Sequence, residues 1–272
     1  MCLNVHGRTP LHSYALGNDS SVHGPLPNDI FRHCIGDPFD ISKHVSAESI
    51  NLTDNAGFTA LHYAARRNPQ TVERLAKAGA NLTLTTPRGV SAFHIAAQSG
   101  KANVLGVLCS FLDGDQDTDG LDKAVNALSE EDGRGATPLM IACRQNHRVT
   151  AKYLIDHGAD VLIQDEDGMT ALHHLVDSQV VPSPLPVWKQ LMATPGLVNI
   201  TCKRGNTALH YAMINDYCPL ARELIEAGAD VWVTNLCGRN ILHQFFADSI
   251  VWHHLDLLEH LAGMDGFQHA LC

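Results

Sequence analysis

Apolar and polar positions along the chain recur with a helical rhythm. Val72, Leu75 and Ala76 fall on one helix face, as do Leu220, Leu224 and Ile225, and Tyr153, Leu154 and Ile155 form a further apolar cluster. Spacings of three and four residues mark an amphipathic helix with one buried side. Upstream lie small-residue stretches, Tyr63-Ala64-Ala65 and Ile95-Ala96-Ala97, whose short side chains let two helices approach closely. Three stripes stop at one signature, Gly79-Ala80-Asn81, Gly158-Ala159-Asp160 and Gly228-Ala229-Asp230. Glycine there closes a helix C-terminus. The pattern predicts helix pairs beginning near Ala60, Ala92, Pro138, Ala171, Ala208 and Ile241, with no sheet beyond short hairpin fingers. No apolar run approaches the roughly 20 residues that span a bilayer. Met1–Arg8 lacks the basic-then-apolar order of a secretory signal.

One phrase precedes each first helix. It reads Gly7-Arg8-Thr9-Pro10-Leu11-His12, Gly57-Phe58-Thr59-Ala60-Leu61-His62, Gly89-Val90-Ser91-Ala92-Phe93-His94 and Gly135-Ala136-Thr137-Pro138-Leu139-Met140. It returns as Gly168-Met169-Thr170-Ala171-Leu172-His173, Gly205-Asn206-Thr207-Ala208-Leu209-His210 and Gly238-Arg239-Asn240-Ile241-Leu242-His243. From Thr9 to Asn240 the steps between Thr-equivalent positions are 50, 32, 46, 33, 37 and 33 residues. Four lie near 33, and the two long ones mark insertions. Glycine suits a tight turn, Thr, Ser or Asn an N-cap, and Pro or Ala the first helical position.

These phrases resemble the ankyrin repeat family, whose unit is a β-turn and two helices around a T-P-L-H-x-A core. The resemblance covers nearly the whole chain and implies an all-α ankyrin-repeat solenoid. The repeats are placed at 1–49, 50–80, 81–112, 125–159, 160–198, 199–229 and 230–272, with an acidic insertion at 113–124 and a Pro-rich one at 180–186. Met140 replaces the family histidine in repeat four, and Asn240-Ile241 replaces Thr-Pro in a degenerate final repeat. The family assigns His12, His62, His94, His173, His210 and His243 a structural role, bridging turn backbone groups of adjacent repeats.

The insertions carry the remaining signals. Gly24-Pro25-Leu26-Pro27 breaks the first, and Asn28–Ile35 is expected to hold the second helix of repeat one. Val180–Pro186 is too proline-dense for helix and is expected to form a surface loop ending at a helix start at Pro186. Asp113–Asp122 contains Asp115-x-Asp117-x-Asp119-Gly120, the first half of a calcium loop in which alternate carboxylates converge on one cation. The closing position holds Asn126 instead of Glu, so the segment is expected to be a solvated acidic loop, with Val125-Asn126-Ala127 starting the next strand.

Composition narrows the classes. Apolar residues make up 45% and charged residues 18%, which excludes a disordered chain. The formal charge of −10 argues against a nucleic-acid binder. The 8 cysteines show no C-x-x-C pair and are expected to be reduced. Cys109 and Cys143 fall on apolar helix faces. The adjacent pairs His173-His174 and His253-His254 point apart on a helix, so no metal site is expected. No nucleophile elbow, Walker loop or His-Glu-x-x-His motif occurs. The sequons at Asn51, Asn81 and Asn199 fall on hairpin positions of the repeat, where glycosylation is not expected.

The resemblance then implies function on the hairpin tips and groove-facing helix ends. Carried over position by position, that face includes Asn55, Phe58, Arg66, Arg67, Arg88, Gln98, Arg134, Arg144 and Gln145. Met169, Lys203, Arg204, Asn206, Arg239 and Asp248 continue it. Repeats two to four contribute five arginines and no carboxylate among these positions, with Phe58 as an apolar anchor. Arginine clamps carboxylates or phosphates, and the scarcity of interleaved aromatics disfavours nucleic acid. The expectation is an intracellular, cytoplasmic or nuclear, monomeric protein-interaction module without cofactor or metal, engaging an acidic segment of another protein. The alternatives are an enzyme with its site in the insertions and a structural subunit of a larger assembly.

Overall fold

The computed structural model describes residues 4–16, 47–112, 118–131, 133–178 and 186–243. Its contacts divide the chain into two compact units, Met1–Pro138 with Asp156–Ala159, and Leu139–Ile155 with Asp160–Cys272. The first contains α1 (Pro10–Leu16), α2 (Ala47–Ile50), α3 (Ala60–Ala65), α4 (Pro69–Lys77), α5 (Ala92–Gln98), α6 (Ala102–Leu112) and α7 (Thr118–Val125). In the second are α8 (Pro138–Arg144), α9 (Arg148–Asp156), α10 (Ala171–Asp177), α11 (Pro186–Ala193), α12 (Ala208–Ile214) and α13 (Cys218–Glu226), with a 3-10 turn at Leu197–Asn199. Helical backbone resumes at Ile241. All six expected first-helix starts coincide with observed ones. Among the described residues the only extended pairing is two isolated antiparallel bridges, Thr85 with Ser91 and Ser129 with Ala136. The fold is all-α.

Within the first unit, first helices pack on first helices and second on second: α1 on α3, α3 on α5, α4 on α6. Alanine makes the close approach possible, since Ala64, Ala65, Ala96 and Ala97 are wholly buried. Larger side chains fill the space between the rows, with Phe93, Leu105 and Leu108 sealed from solvent. In the second unit α10 packs on α12 and α12 on α13 around Leu172, Leu209 and Leu224. Asn68 caps α4, accepting from the amides of Gln70 and Thr71, and Pro69 opens that helix where no amide is needed.

Two insertions differ from their expected form. The acidic segment Asp113–Asp122 is helical from residue 118, because Leu121, Ala124 and Val125 form an apolar stripe that its charge count obscures. Ala124 and Val125 are buried where α7 meets α6. Gly120, which a calcium loop would bend sharply, lies inside α7, and Val125 ends a helix instead of starting a strand. The other change is in the tip of repeat four. Thr86 donates to the Val90 carbonyl four residues on, whereas Ser129 donates to Ala136 seven residues on. Repeat four therefore has a tip three residues longer than that of repeat three. Helix α11 begins at Pro186 as expected. The segments Asn28–Ile35, Asp113–Asp117 and Val180–Leu185, together with Asp248 and His253-His254, lie outside the described residues.

The buried leucines generate a stability test. Leu61 is 3% exposed and Leu209 fully buried, so replacing either by Ala removes packed atoms and leaves a cavity. Each variant should lose about 2–5 kcal/mol in a denaturant titration. An unchanged midpoint would show that these side chains are not core.

Candidate interaction surface

Five hairpin tips are each closed by one side chain three residues before the turn glycine. Asp54 Oδ1 accepts from the amides of Ala56 and Phe58, both at 3.0 Å. Asp165 Oδ1 accepts from Asp167 at 2.9 Å and Met169 at 2.8 Å, and Asn235 Oδ1 accepts from Cys237 and Arg239, both at 3.0 Å. Asn4 does the same for His6 and Arg8, while Thr86 Oγ1 takes the Val90 amide. The second carboxylate oxygen is answered by a residue nine positions later. Tyr63 donates its hydroxyl to Asp54 Oδ2 at 2.6 Å, and His174 Nε2 donates to Asp165 Oδ2 at 2.8 Å with both side chains buried. Arg8 joins the first cluster, 3.4 Å from Asp54 and stacked 4.9 Å over the Tyr63 ring. Burial pushes both carboxyls up, but these hydrogen bonds outweigh it and hold them below the usual carboxylate range.

The second fixed element is the histidine at helix position N3. The backbone amide of Thr59 donates to His62 Nδ1 at 3.1 Å, with the Thr59 hydroxyl 2.8 Å from the same nitrogen. An amide can only donate, so Nδ1 must present its lone pair, and the ring proton sits on Nε2. That Nε2 donates to the Val90 carbonyl of the next repeat at 3.1 Å. The arrangement recurs for His12 with Phe58, His94 with Ala127 and Ala136, His173 with Asn206, and His210 with Arg239. Five imidazoles thus carry the bridging role expected of them, and each has both nitrogens committed. His243 pairs with Asn240 at its own helix start.

Tips also join through their backbones. Asn55 donates to the His6 carbonyl at 3.1 Å, Glu130 to Arg88 at 2.8 Å, Lys203 to Asp167 at 2.8 Å and Leu236 to Arg204 at 3.0 Å. Pro87, having no amide, cannot make the equivalent bond. The contact leaves no room for a side chain at the turn: a Cβ on Gly205, at φ +74°, would lie 2.9 Å from the Asn235 backbone. A side-chain link runs alongside. Asn51 and Asn199 accept from the amides of Asn81 and Asp230, and Asn126 donates to the Gly158 carbonyl. These bonds engage the Asn51 and Asn199 side-chain oxygens, at two of the three sequons, and the Nδ2 of Asn126, which stands where a calcium loop would close.

On this frame Asn55, Arg66, Arg67, Arg88, Gln98, Arg134, Gln145, Lys203, Arg204 and Arg239 are exposed. Three residues expected on the open face are turned inward. Met169 and Asn206 are buried. Phe58 packs its half-buried ring against His62 and Tyr63, centroids 5.7 Å apart, so the ring belongs to the tip's own packing. Arg144 is half-buried and falls in the second unit, apart from Arg66, Arg67, Arg88 and Arg134 of the first. The arginine face also has carboxylates nearby: exposed Glu130 and Glu131 occupy the longer fourth tip, with Glu130 bonded to the Arg88 backbone.

The family profile described as "Ankyrin repeats (3 copies)" matches residues 31–120 and 118–183, and that of a single "Ankyrin repeat" matches 204–236. The nuclear factor NF-kappa-B p105 subunit of Gallus gallus is 32% identical over 188 residues, covering 68% of this chain and 18% of that protein. Human B-cell lymphoma 3 protein is 26% identical over 235 residues, 84% of this chain and 45% of that protein. The chain therefore spans less than half the length of either relative. The crystal structure of the ankyrin repeat domain of Bcl-3, titled a unique member of the IkappaB protein family, superimposes with a TM-score of 0.63. It covers 88% of this chain and 94% of that one, at 26% identity. The human ASB11 ankyrin repeat domain, at 21% identity, TM-score 0.67 and coverage of 92% and 97%, shares the fold.

The bridging histidines generate a pH test. Burial pushes all five imidazoles below their ordinary value of 6.5, His94 and His173 down to about 4. The folded state then binds fewer protons than the unfolded chain between those values. Its stability is fully present above pH 6.5 and is lost as pH falls toward 4. Denaturant midpoints should decline steadily through that window, and a flat profile across it would contradict neutral bridging rings.

Proposed function

This chain belongs to the ankyrin-repeat family, and we propose that it is a protein-interaction module that docks an acidic partner segment on the tips and first-helix ends of its first unit. The observation that carries this reading is the exposure of Arg66, Arg67, Arg88 and Arg134 on repeats two to four of that unit, in a chain whose formal charge is −10. A local cationic excess against that background has no role in solubility, and planar guanidinium groups pair with carboxylates bidentately. Glu130 and Glu131 interrupt the face and would set the register of a partner by repelling misplaced carboxylates. A relative named as a nuclear factor subunit and the reduced thiols of Cys143, Cys202 and Cys237 support a cytoplasmic or nuclear setting.

The bridging histidines and Cys143 are placed for packing and not for acid–base or nucleophilic chemistry. Both nitrogens of each bridging histidine are already bonded, so none of the five is available as a general base. Burial pushes the Cys143 thiol up to about 12, the opposite of an activated nucleophile.

The test combines Arg66→Ser, Arg88→Ser and Arg134→Ser and measures binding to an immobilised glutamate-rich peptide across a salt series. The triple variant should bind about tenfold or more weakly and show a shallower salt dependence, while its melting temperature holds. Affinity and salt slope equal to those of the parent would remove this face as the docking surface.

A further inference from the structure

The tips of repeats six and seven, all within the second unit, bring exposed charge and an exposed apolar side chain together. Leu236 is 80% exposed at the apex of the seventh tip. Its backbone is fixed: the Leu236 amide donates to the Arg204 carbonyl at 3.0 Å, and Asn235 Oδ1 holds the amides of Cys237 and Arg239. The Asn235 amide also donates to the Arg239 carbonyl at 2.8 Å. A large apolar side chain is thus held out to water on a rigid turn, with the ordering entropy of the backbone already spent before any partner arrives. Lys203, Arg204 and Arg239, all exposed, lie on the same two tips. Three cations beside one leucine call for an occupant that is anionic and brings an apolar side chain of its own.

We propose that the tips of repeats six and seven form a docking site for an acidic protein segment carrying one large apolar residue among its carboxylates, anchored on Leu236 and clamped by Lys203, Arg204 and Arg239. The inference rests on the interaction-module reading but uses a separate surface. Nucleic acid fits the site poorly. The preceding tip presents exposed Glu166 and Asp167, and the Asp167 carbonyl is bonded to the Lys203 amide. A continuous phosphate backbone would meet those carboxylates. Residues 202–206 and 235–239 contain no aromatic side chain, and Trp232, 40% exposed four positions before Leu236, offers one ring alone instead of a run of stacking surfaces. A discrete peptide can instead orient its negative residues toward tips six and seven and away from tip five.

The test uses a short fluorescein-labelled glutamate-rich peptide with a single central leucine, and the same peptide with serine there, read by anisotropy. The parent should prefer the leucine peptide about tenfold. Leu236→Ser should abolish that preference, and Arg204→Ser with Arg239→Ser should weaken both peptides and flatten the salt dependence. The triple arginine variant of the first unit should keep the leucine preference intact. Because Leu236 is exposed, its replacement leaves the core untouched, which a thermal melt verifies. A preference that survives Leu236→Ser, one lost only in the first-unit variant, or tighter binding of a single-stranded oligonucleotide would each overturn the site. If the parent binds neither peptide, this site falls, and unchanged binding in every variant would count against the interaction-module reading as well.

Discussion

At five junctions a neutral imidazole with no free nitrogen joins one repeat to the next. Its Nδ1 takes the amide of its own N-cap residue, and its Nε2 reaches a carbonyl one repeat onward, as His62 does between Thr59 and Val90. One ring therefore closes a helix start, fixes its own tautomer and sets the distance to the following turn. The glycines answer the same constraint, since tips held this close leave no space for a Cβ at Gly205. Burial of the five rings costs little because every polar atom is satisfied, and it ties the fold to a neutral-ring pH range.

Where a repeat departs from this scheme, the local chemistry changes with it. Repeat four carries Met140, buried at 2% exposure, and a thioether has no proton to donate to a carbonyl. Repeat six places Cys202 where other tips have Asp, Asn or Thr. Its sulfur lies 3.7 Å from the Tyr211 hydroxyl, and Asn206 turns inward to accept from Asn235 Nδ2 at 2.9 Å. That inward turn explains why Asn206 is buried at a position expected to face a partner. The tip loses an outward polar group and gains a side-chain bond to the next tip, which helps hold the seventh tip rigid beneath Leu236.

The parts of this structure legible in the sequence are those encoded at short range. Helix starts at Ala60, Ala92, Pro138, Ala171, Ala208 and Ile241 follow from a capping residue and a turn glycine a few positions apart, and the histidine bridges follow from the family resemblance. What escaped depends on contacts that linear spacing does not display. The pairs Asp54–Tyr63 and Asp165–His174 lie nine residues apart and meet only because a tip folds back over its own helix. The recurrence of an acid followed nine residues later by Tyr or His was the available signal. Helix α7 was hidden by its carboxylates, although Leu121, Ala124 and Val125 carry the right spacing. The direction of Phe58, Met169 and Asn206 depends on which neighbour fills the tip, and family position alone placed them outward. The exposure of Leu236 is the converse case, an apolar residue left open to water at the apex of its tip.

The bridging geometry is tested most directly by the nitrogen resonances of the imidazole rings in a long-range proton–nitrogen correlation spectrum. The measurement belongs at a pH below 6.5 and above 4, where an ordinary histidine is largely charged and His94 and His173 are not. The account predicts that in the upper part of that interval both rings show one protonated nitrogen, Nε2, and one bare nitrogen, Nδ1, in the folded protein. Rings protonated on Nδ1, or doubly protonated while the fold persists, would contradict it.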